Sequence, residues 1–328
     1  PTYTLFPYTT LFRSFSASPL ALNLNAIIIY TMKIFASSDL HVDFEKNKSA
    51  FELPRILQNT LKREKDDCAF VITGDVAQSL PLLHNYLKKY KHIPIPKFFT
   101  AGNHDIWVEP TGMNSFIKYT LVLKEAVEDA GFHFLDASPV VLGDLGIVGN
   151  IGWYDYSFRR RYLTLPENYK LIRVDEKKYM TWQDLTIEDY RRKILYGEIG
   201  GKLHLITRWN DAVFVRWQLT DEEFCAYCID KIKCDFQAIR NQVKKILFCS
   251  HHIHFQQCVH YRDAAKWDFN TAFYGSDKIG ELLLSEEKVV AAIFAHSHLP
   301  DARLIEHRIM SYNFPFKGAN PVLHSIVV

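Results

Sequence analysis

Five short apolar runs in this chain each end in polar side chains able to bind a metal, and that repetition constrains the fold more than any other feature. Lys33-Ile-Phe-Ala-Ser-Ser38 runs into Asp39-Leu-His41, and Cys68-Ala-Phe-Val-Ile-Thr73 runs into Gly74-Asp75. Lys97-Phe-Phe-Thr100 precedes Gly102-Asn-His-Asp105, residues 246–249 precede His251-His252, and residues 289–294 precede His296-Ser-His298. Runs of this length and composition read as buried strands. Helical spacing of apolar residues separates the first three: Phe51, Leu53, Ile56, Leu57 and Leu61 within 49–63, then 80–90 and 114–130. Strand alternating with helix predicts an α/β fold with a largely parallel sheet. In such sheets ligands gather at the carboxyl ends of the strands. All five clusters therefore belong at one edge.

The donor types narrow the chemistry. Carboxylate, imidazole and amide oxygen together suit Mn, Fe, Zn or Ni, whereas calcium takes oxygen alone. Residues two apart, as in Asp39-Leu-His41 and His296-Ser-His298, can aim both side chains at one ion or divide them between two. The donors outnumber the needs of one ion. A pair of ions roughly 3.5–4 Å apart can activate a water and clamp both oxygens of an in-line displacement. The remaining histidines (His84, His92, His133, His204, His254, His260, His307 and His324) follow no strand end in this way and read as structural or surface residues.

In order and spacing, Asp39-x-His41, Gly74-Asp75, Gly102-Asn103-His104-Asp105, His251 and His296-x-His298 resemble the signature of the calcineurin-like metallophosphoesterase superfamily. The resemblance spans 33–300 and is weakest over 153–245. It implies a four-layer α/β/β/α sandwich of two mixed sheets flanked by helices, carrying a large insertion. It implies two divalent metal ions, the first held by Asp39, His41, Asp75 and His298 and the second by Asp75, Asn103, His251 and His296. Asp75 would bridge them. His104 would protonate the leaving oxygen, with Asp105 orienting its ring, and His252 would lie nearer the substrate. Ala295 stands where the family usually has Gly, a small-for-small exchange. Gly74-Asp75 continues into Val76-Ala77-Gln78-Ser79 without the Asp-Arg-Gly extension of the superfamily's protein serine/threonine phosphatases, which argues against that activity.

Residues 32–328 read as one catalytic domain in which 153–245 form a cap-like insertion. Residues 1–31 are nearly free of charge and resemble translated adaptor sequence, with Met32 as the natural start; a signal peptide with Leu20–Tyr30 as its apolar core is the rival reading. Within 150–161, Trp153, Tyr154 and Arg159 are the expected contacts to substrate, an arginine pairing with a second phosphate and an aromatic stacking on a base. A solvated basic face over core aromatics is the competing account. Cys225-x-x-Cys228 lies in an amphipathic stretch with no second Cys/His pair at finger spacing, so it reads as helix packing. Six cysteines without a disulfide pattern suggest the cytoplasm. A formal net charge of +2 gives no field to recruit nucleic acid, and no run is apolar for long enough to span a bilayer. The expected partner is a small phosphorylated substrate. A nuclease of the same superfamily, or a silent interaction scaffold, are the alternatives.

Overall fold

The computed structural model describes residues 31–109, 111–172, 179–180, 185–318 and 321–328, so the extension expected at 1–31 lies, Thr31 apart, outside the described residues. Fifteen strands follow in order: β1 Met32–Ser37, β2 Asp67–Thr73, β3 Lys97–Thr100, β4 His133–Phe134, β5 Val140–Leu142, β6 Leu145–Asn150, β7 Tyr169–Ile172, β8 Tyr179–Met180, β9 Ile194–Ile199, β10 Lys202–Arg208, β11 Lys245–Ser250, β12 Val289–Phe294, β13 Asp301–Ile305, β14 Ile309–Asn313 and β15 His324–Val327. One sheet has the order β15-β1-β2-β3-β4 and a second has β13-β14-β12-β11-β6-β5. The first is parallel except for the β15 edge; the second is parallel at its centre and antiparallel at both edges. Two mixed sheets with flanking helices are the expected fold.

Local chemistry sets the helices. Pro54 lies in the first turn of Leu53–Leu61, where its missing N–H is not needed, and a short 3-10 stretch, Glu45–Glu52, precedes it. The spacing predicts helix over 221–232 and again from 235. The chain instead makes one helix, Asp221–Ile239, because Lys233 and Cys234 offer no breaker and Thr220 and Glu223 cap its start. Phe236 and Ile239 of this helix pack with Phe248 of β11 and Val148 of β6. Cys225 and Cys228 are buried on it, and all six cysteines are free. No helix among the described residues is long and apolar enough to cross a membrane.

Irregular structure was the expectation for 153–219, yet the chain folds β7, β8, β9 and β10 into a small antiparallel sheet of order β10-β9-β7-β8. The tight turn at Gly200 and Gly201, both in the left-handed region, closes the β9–β10 hairpin. The two large sheets are joined at the edge where their strands end. Asp136, buried just beyond β4, accepts the Ala101 N–H after β3 (3.0 Å) and the Ile151 N–H after β6 (2.5 Å). It also accepts the Tyr119 hydroxyl at 2.8 Å.

One carboxylate thus holds both sheets in register where the candidate site begins. Replacing Asp136 with Ala orphans two buried N–H groups at about 1–3 kcal/mol each, so the urea midpoint should fall with the slope unchanged. Burial pushes the Asp136 carboxyl up to about 6, although its three donors pull the other way. Its protonated form therefore favours the fold, a contribution fully present below about pH 4 and lost as pH rises through about 6. The stability of the native chain relative to Asp136→Asn should grow as pH falls across that window. A difference flat with pH would mean the buried group does not titrate there.

Candidate metal centre

The loops after β1, β2 and β12 carry their side chains on a strained backbone. Asp39, His41, Asp75, His296 and His298 all have positive φ, between 39° and 70°, half of the ten non-glycine residues so placed among those described. Each costs on the order of 1–3 kcal/mol and persists only where the surroundings fix it. Lateral backbone bonds do so: Asp39 N–H to Gly74 O (3.2 Å), His41 N–H to Asp75 O (2.9 Å) and Ala295 N–H to His251 O (2.9 Å). The turn at Gly74 (φ 78°) lies against Gly102, and a Cβ on Gly102 would come within 2.2 Å of the Asp75 carboxylate. Both positions need glycine for these two loops to meet.

Asp105 locks that junction. Its oxygens accept the N–H groups of Asp75, Val76 and Gly102 at 2.8 Å and of Ala77 at 3.1 Å. Four donors saturate a carboxylate, so Asp105 does not orient the His104 ring as expected; it builds the backbone of both loops. Burial and the Asp75 charge push its carboxyl up to about 7, against the pull of the Gly102 and Ala77 N–H groups.

Seven side chains meet around Asp75. Its Oδ2 lies 3.4 Å from His251 Nε2 and 3.5 Å from His41 Nε2. His251 Nε2 is also 3.1 Å from Asn103 Oδ1 and 3.0 Å from His296 Nδ1. On the other flank, Asp39, His41 and His298 place their donor atoms within 4.8 Å of one another, as do Asp75, His251 and His296. Asp39 is tied in place by the Ser38 hydroxyl (2.8 Å). The sequence clusters after all five strands therefore come together, with His298 the most exposed of the set.

The His251 ring shows what this arrangement fits. Its Nδ1 lies 3.0 Å from the Thr73 carbonyl, which can only accept, so the proton of a neutral ring sits there. In that neutral form Nε2 has no proton for the Asn103 and Asp75 oxygens 3.1 and 3.4 Å away in a fully buried place, a conflict that protonating the ring or binding a cation relieves. Spacings of 3.0–3.5 Å match the edges of a coordination shell with bonds of about 2.1 Å. The donor set fits a borderline transition metal on each flank of Asp75. Titration separates the rings. Burial pulls the His41 ring down to about 4 and, with the neighbouring His252 and His251, pulls His296 well below its ordinary value, leaving neutral imidazoles. Burial opposes charge on His251 and Asp75 alike, but their attraction outweighs it, raising His251 to about 9 and holding Asp75 well below the carboxylate range.

His104 borders the seven, its ring nitrogen within 4.8 Å of the donor atoms of His41 and Asp75. Its Nε2 is 4.0 Å from Asp75 Oδ2, its side chain is 19% exposed, and its ring stacks on Trp107 at 3.6 Å. Trp107 donates its indole N–H to Asp211 (2.7 Å), a residue that no motif or periodicity marks. Buried Asp211 also accepts from Asn103 Nδ2 (3.0 Å), the Tyr154 hydroxyl (3.0 Å) and the Trp209 indole (2.7 Å). The bond to Nδ2 fixes which way the Asn103 amide points and turns its oxygen toward His251.

The expected substrate contacts are displaced. Trp153 and Tyr154 are fully buried, the indole N–H on Asp221 and the hydroxyl on Asp211, because aromatics beside a strand end gain more from the core than from a cleft. His252 is also fully buried between Trp153 and His296, its Nδ1 on the Ile151 carbonyl. Arg159 bonds the Tyr156 carbonyl and does not line the cleft. Arg208, Trp209 and Lys266 line it instead, in a cavity of 420 Å³ that reaches Asp75, Asn103 and His296.

Replacing Asp211 with Ala frees the Asn103 amide to turn its nitrogen inward. Metal affinity should fall about 10–100-fold on the flank that Asn103 serves, read by calorimetric titration of the metal-stripped chain. Equal affinity in the variant would remove Asp211 from the support of the site.

None of the curated proteins matches the chain. Among solved structures, a phosphopantetheinyl hydrolase from Mycobacterium tuberculosis is similar at 15% identity and a TM-score of 0.61, covering 90% of this chain and 96% of its own. A dimetal phosphatase from Danio rerio is similar at 11% identity and a TM-score of 0.48, covering 90% and 91%. At such identities the first likeness speaks for the fold alone. The family model described as calcineurin-like phosphoesterase matches residues 32–300. The chain belongs to the calcineurin-like phosphoesterases, a family of hydrolases.

Proposed function

We propose that this protein hydrolyses a phosphoester of a small molecule with two divalent ions, one held by Asp39, His41, Asp75 and His298 and the other by Asp75, Asn103, His251 and His296. The observation that carries the reading is the crowding of metal-competent atoms around His251 Nε2, with Asn103 Oδ1, His296 Nδ1 and Asp75 Oδ2 all within 3.4 Å. Bound ions would supply Lewis-acid polarisation of the phosphoryl oxygens and a water acidic enough to attack at neutral pH. Mn, Fe, Zn and Ni all suit the donors.

The chain's own groups do the rest. Buried Asp75 serves both flanks and keeps them at a fixed separation. His104, partly exposed at the cleft and held flat by Trp107, is placed to give a proton to the leaving oxygen. Walls formed by Trp209 and Tyr274 exclude water from the side of His296. Six free thiols, five of them buried, favour a reducing compartment such as the cytoplasm. With His104 and all seven donors in place, turnover is favoured over a scaffold role.

Chain loaded with Mn²⁺ should release nitrophenolate from nitrophenyl phosphate esters, and chelation should abolish the release. His104→Ala should cut kcat about 10²–10⁴-fold while metal content stays at the native level. An unaltered kcat would take the proton-donating role from His104, and silence of the metal-loaded native chain toward mono- and diester probes would sink the reading.

A further inference from the structure

Two cavities open onto the metal centre. The first, of 420 Å³, takes in Asn103 and His296 and is walled by Trp209, Arg208 and Lys266. The second, of 610 Å³, takes in Asp39 and His41 and is walled by Phe44, Lys46 and Phe316. They share His104 and His298 in their linings, so the two meet at those side chains, one over the Asn103 flank of Asp75 and the other over the Asp39 flank. A phosphorus atom held at Asp75 therefore has room for a substituent on either side.

We infer that the substrate is a phosphodiester whose two arms lie in these two lobes, an inference that rests on the phosphoester reading above. A monoester ends at its phosphoryl group and fills one lobe only. The lobes differ in chemistry. Arg208 and Lys266 are exposed and have no carboxylate partner among the described residues, while the Trp209 indole, stacked on Phe273 at 5.2 Å, packs beside His296 in the same lining. Two unpaired cations within a cavity this small lie close to any ligand that touches Asn103, and they suit an arm carrying a further anionic group. In the second lobe Phe44 is 45% exposed, its ring 5.5 Å from that of His41 and 5.8 Å from Lys46 Nζ, and Phe316 lines the same cavity. This lobe suits an apolar or aromatic arm.

The reaction adds water across one P–O bond. The water oxygen bonds to phosphorus and one ester oxygen leaves with the proton of His104, which is restored from the attacking water. A monoester and an alcohol remain. Phe44 and Phe316 then act as specificity residues for one arm, and Arg208 and Lys266 for the other.

The test uses the full metal-loaded chain. Bis(4-nitrophenyl) phosphate should be cleaved with a kcat/KM at least about tenfold above that for 4-nitrophenyl phosphate. The Phe44→Ala/Phe316→Ala variant should lose about tenfold toward the diester and keep its monoester rate within about twofold, which also reports that it is folded. A matched pair of probes reads the other lobe: thymidine 5′-(4-nitrophenyl phosphate) with and without a 3′-phosphate. The phosphorylated probe should have the lower KM, and Arg208→Ala/Lys266→Ala should erase the difference. Monoester turnover as fast as diester turnover, or equal losses on both in the phenylalanine variant, would overturn the two-armed groove and leave the hydrolase reading standing. No release from any probe would remove both.

Discussion

The Asp105 carboxylate accepts four backbone N–H groups from two loops, and the site depends on that arrangement more than on any metal-binding side chain. Donor atoms of six side chains converge on Asp75, and beyond the His251–Asp75 attraction their mutual contacts do little to hold them there. The backbone must be fixed by other means. Asp105 joins the turns after β2 and β3, Asp136 joins the ends of β3 and β6, and Asp211 ties the Asn103 amide to the segment beyond β10. Three buried carboxylates outside the cluster, Asp105, Asp136 and Asp211, thus support the two within it, Asp39 and Asp75.

This division of labour explains why the strain is local. Five residues of the centre adopt left-handed backbone, an arrangement that costs energy in a chain without compensating contacts. Here the lateral bonds between loops continue the pairing of the strands beneath them, so the distortion is carried at the sheet's edge and leaves the strands regular. The donors are thus positioned by backbone bonds more than by one another.

Much of this was legible in the sequence because strand ends carry their own markers. Asp39-Leu-His41, Gly74-Asp75, Gly102-Asn103-His104 and His296-Ser-His298 each stand directly after an apolar run, and a parallel sheet leaves such ends only one edge to share. The supporting residues carry no such mark. Asp105 was read as a partner of the His104 ring because the two are adjacent, whereas backbone N–H groups thirty residues away in sequence claim both its oxygens. Asp211 follows Trp209-Asn210 in a stretch without periodicity, and its four donors come from positions 103, 107, 154 and 209. Trp153, Tyr154 and Arg159 invited a substrate role through their place after β6; burial claims the first two and the Tyr156 carbonyl holds the third. Arg208 and Lys266, which do line the cleft, sit in otherwise ordinary polar sequence. What escaped the sequence is what depends on contacts between distant segments.

The reach of Asp211 bears on how this lineage could diversify. The segment that walls the cleft is also the segment that aims Asn103 and steadies Trp107. Recombination that exchanged 153–245 for the corresponding piece of another hydrolase would remove an acceptor from the catalytic body along with the old cleft wall. Only donors bringing their own buried acid to the same spot would yield a working chimaera. Variation in substrate range is therefore easier along Arg208, Lys266 and Phe44, whose side chains can change without disturbing the scaffold beneath.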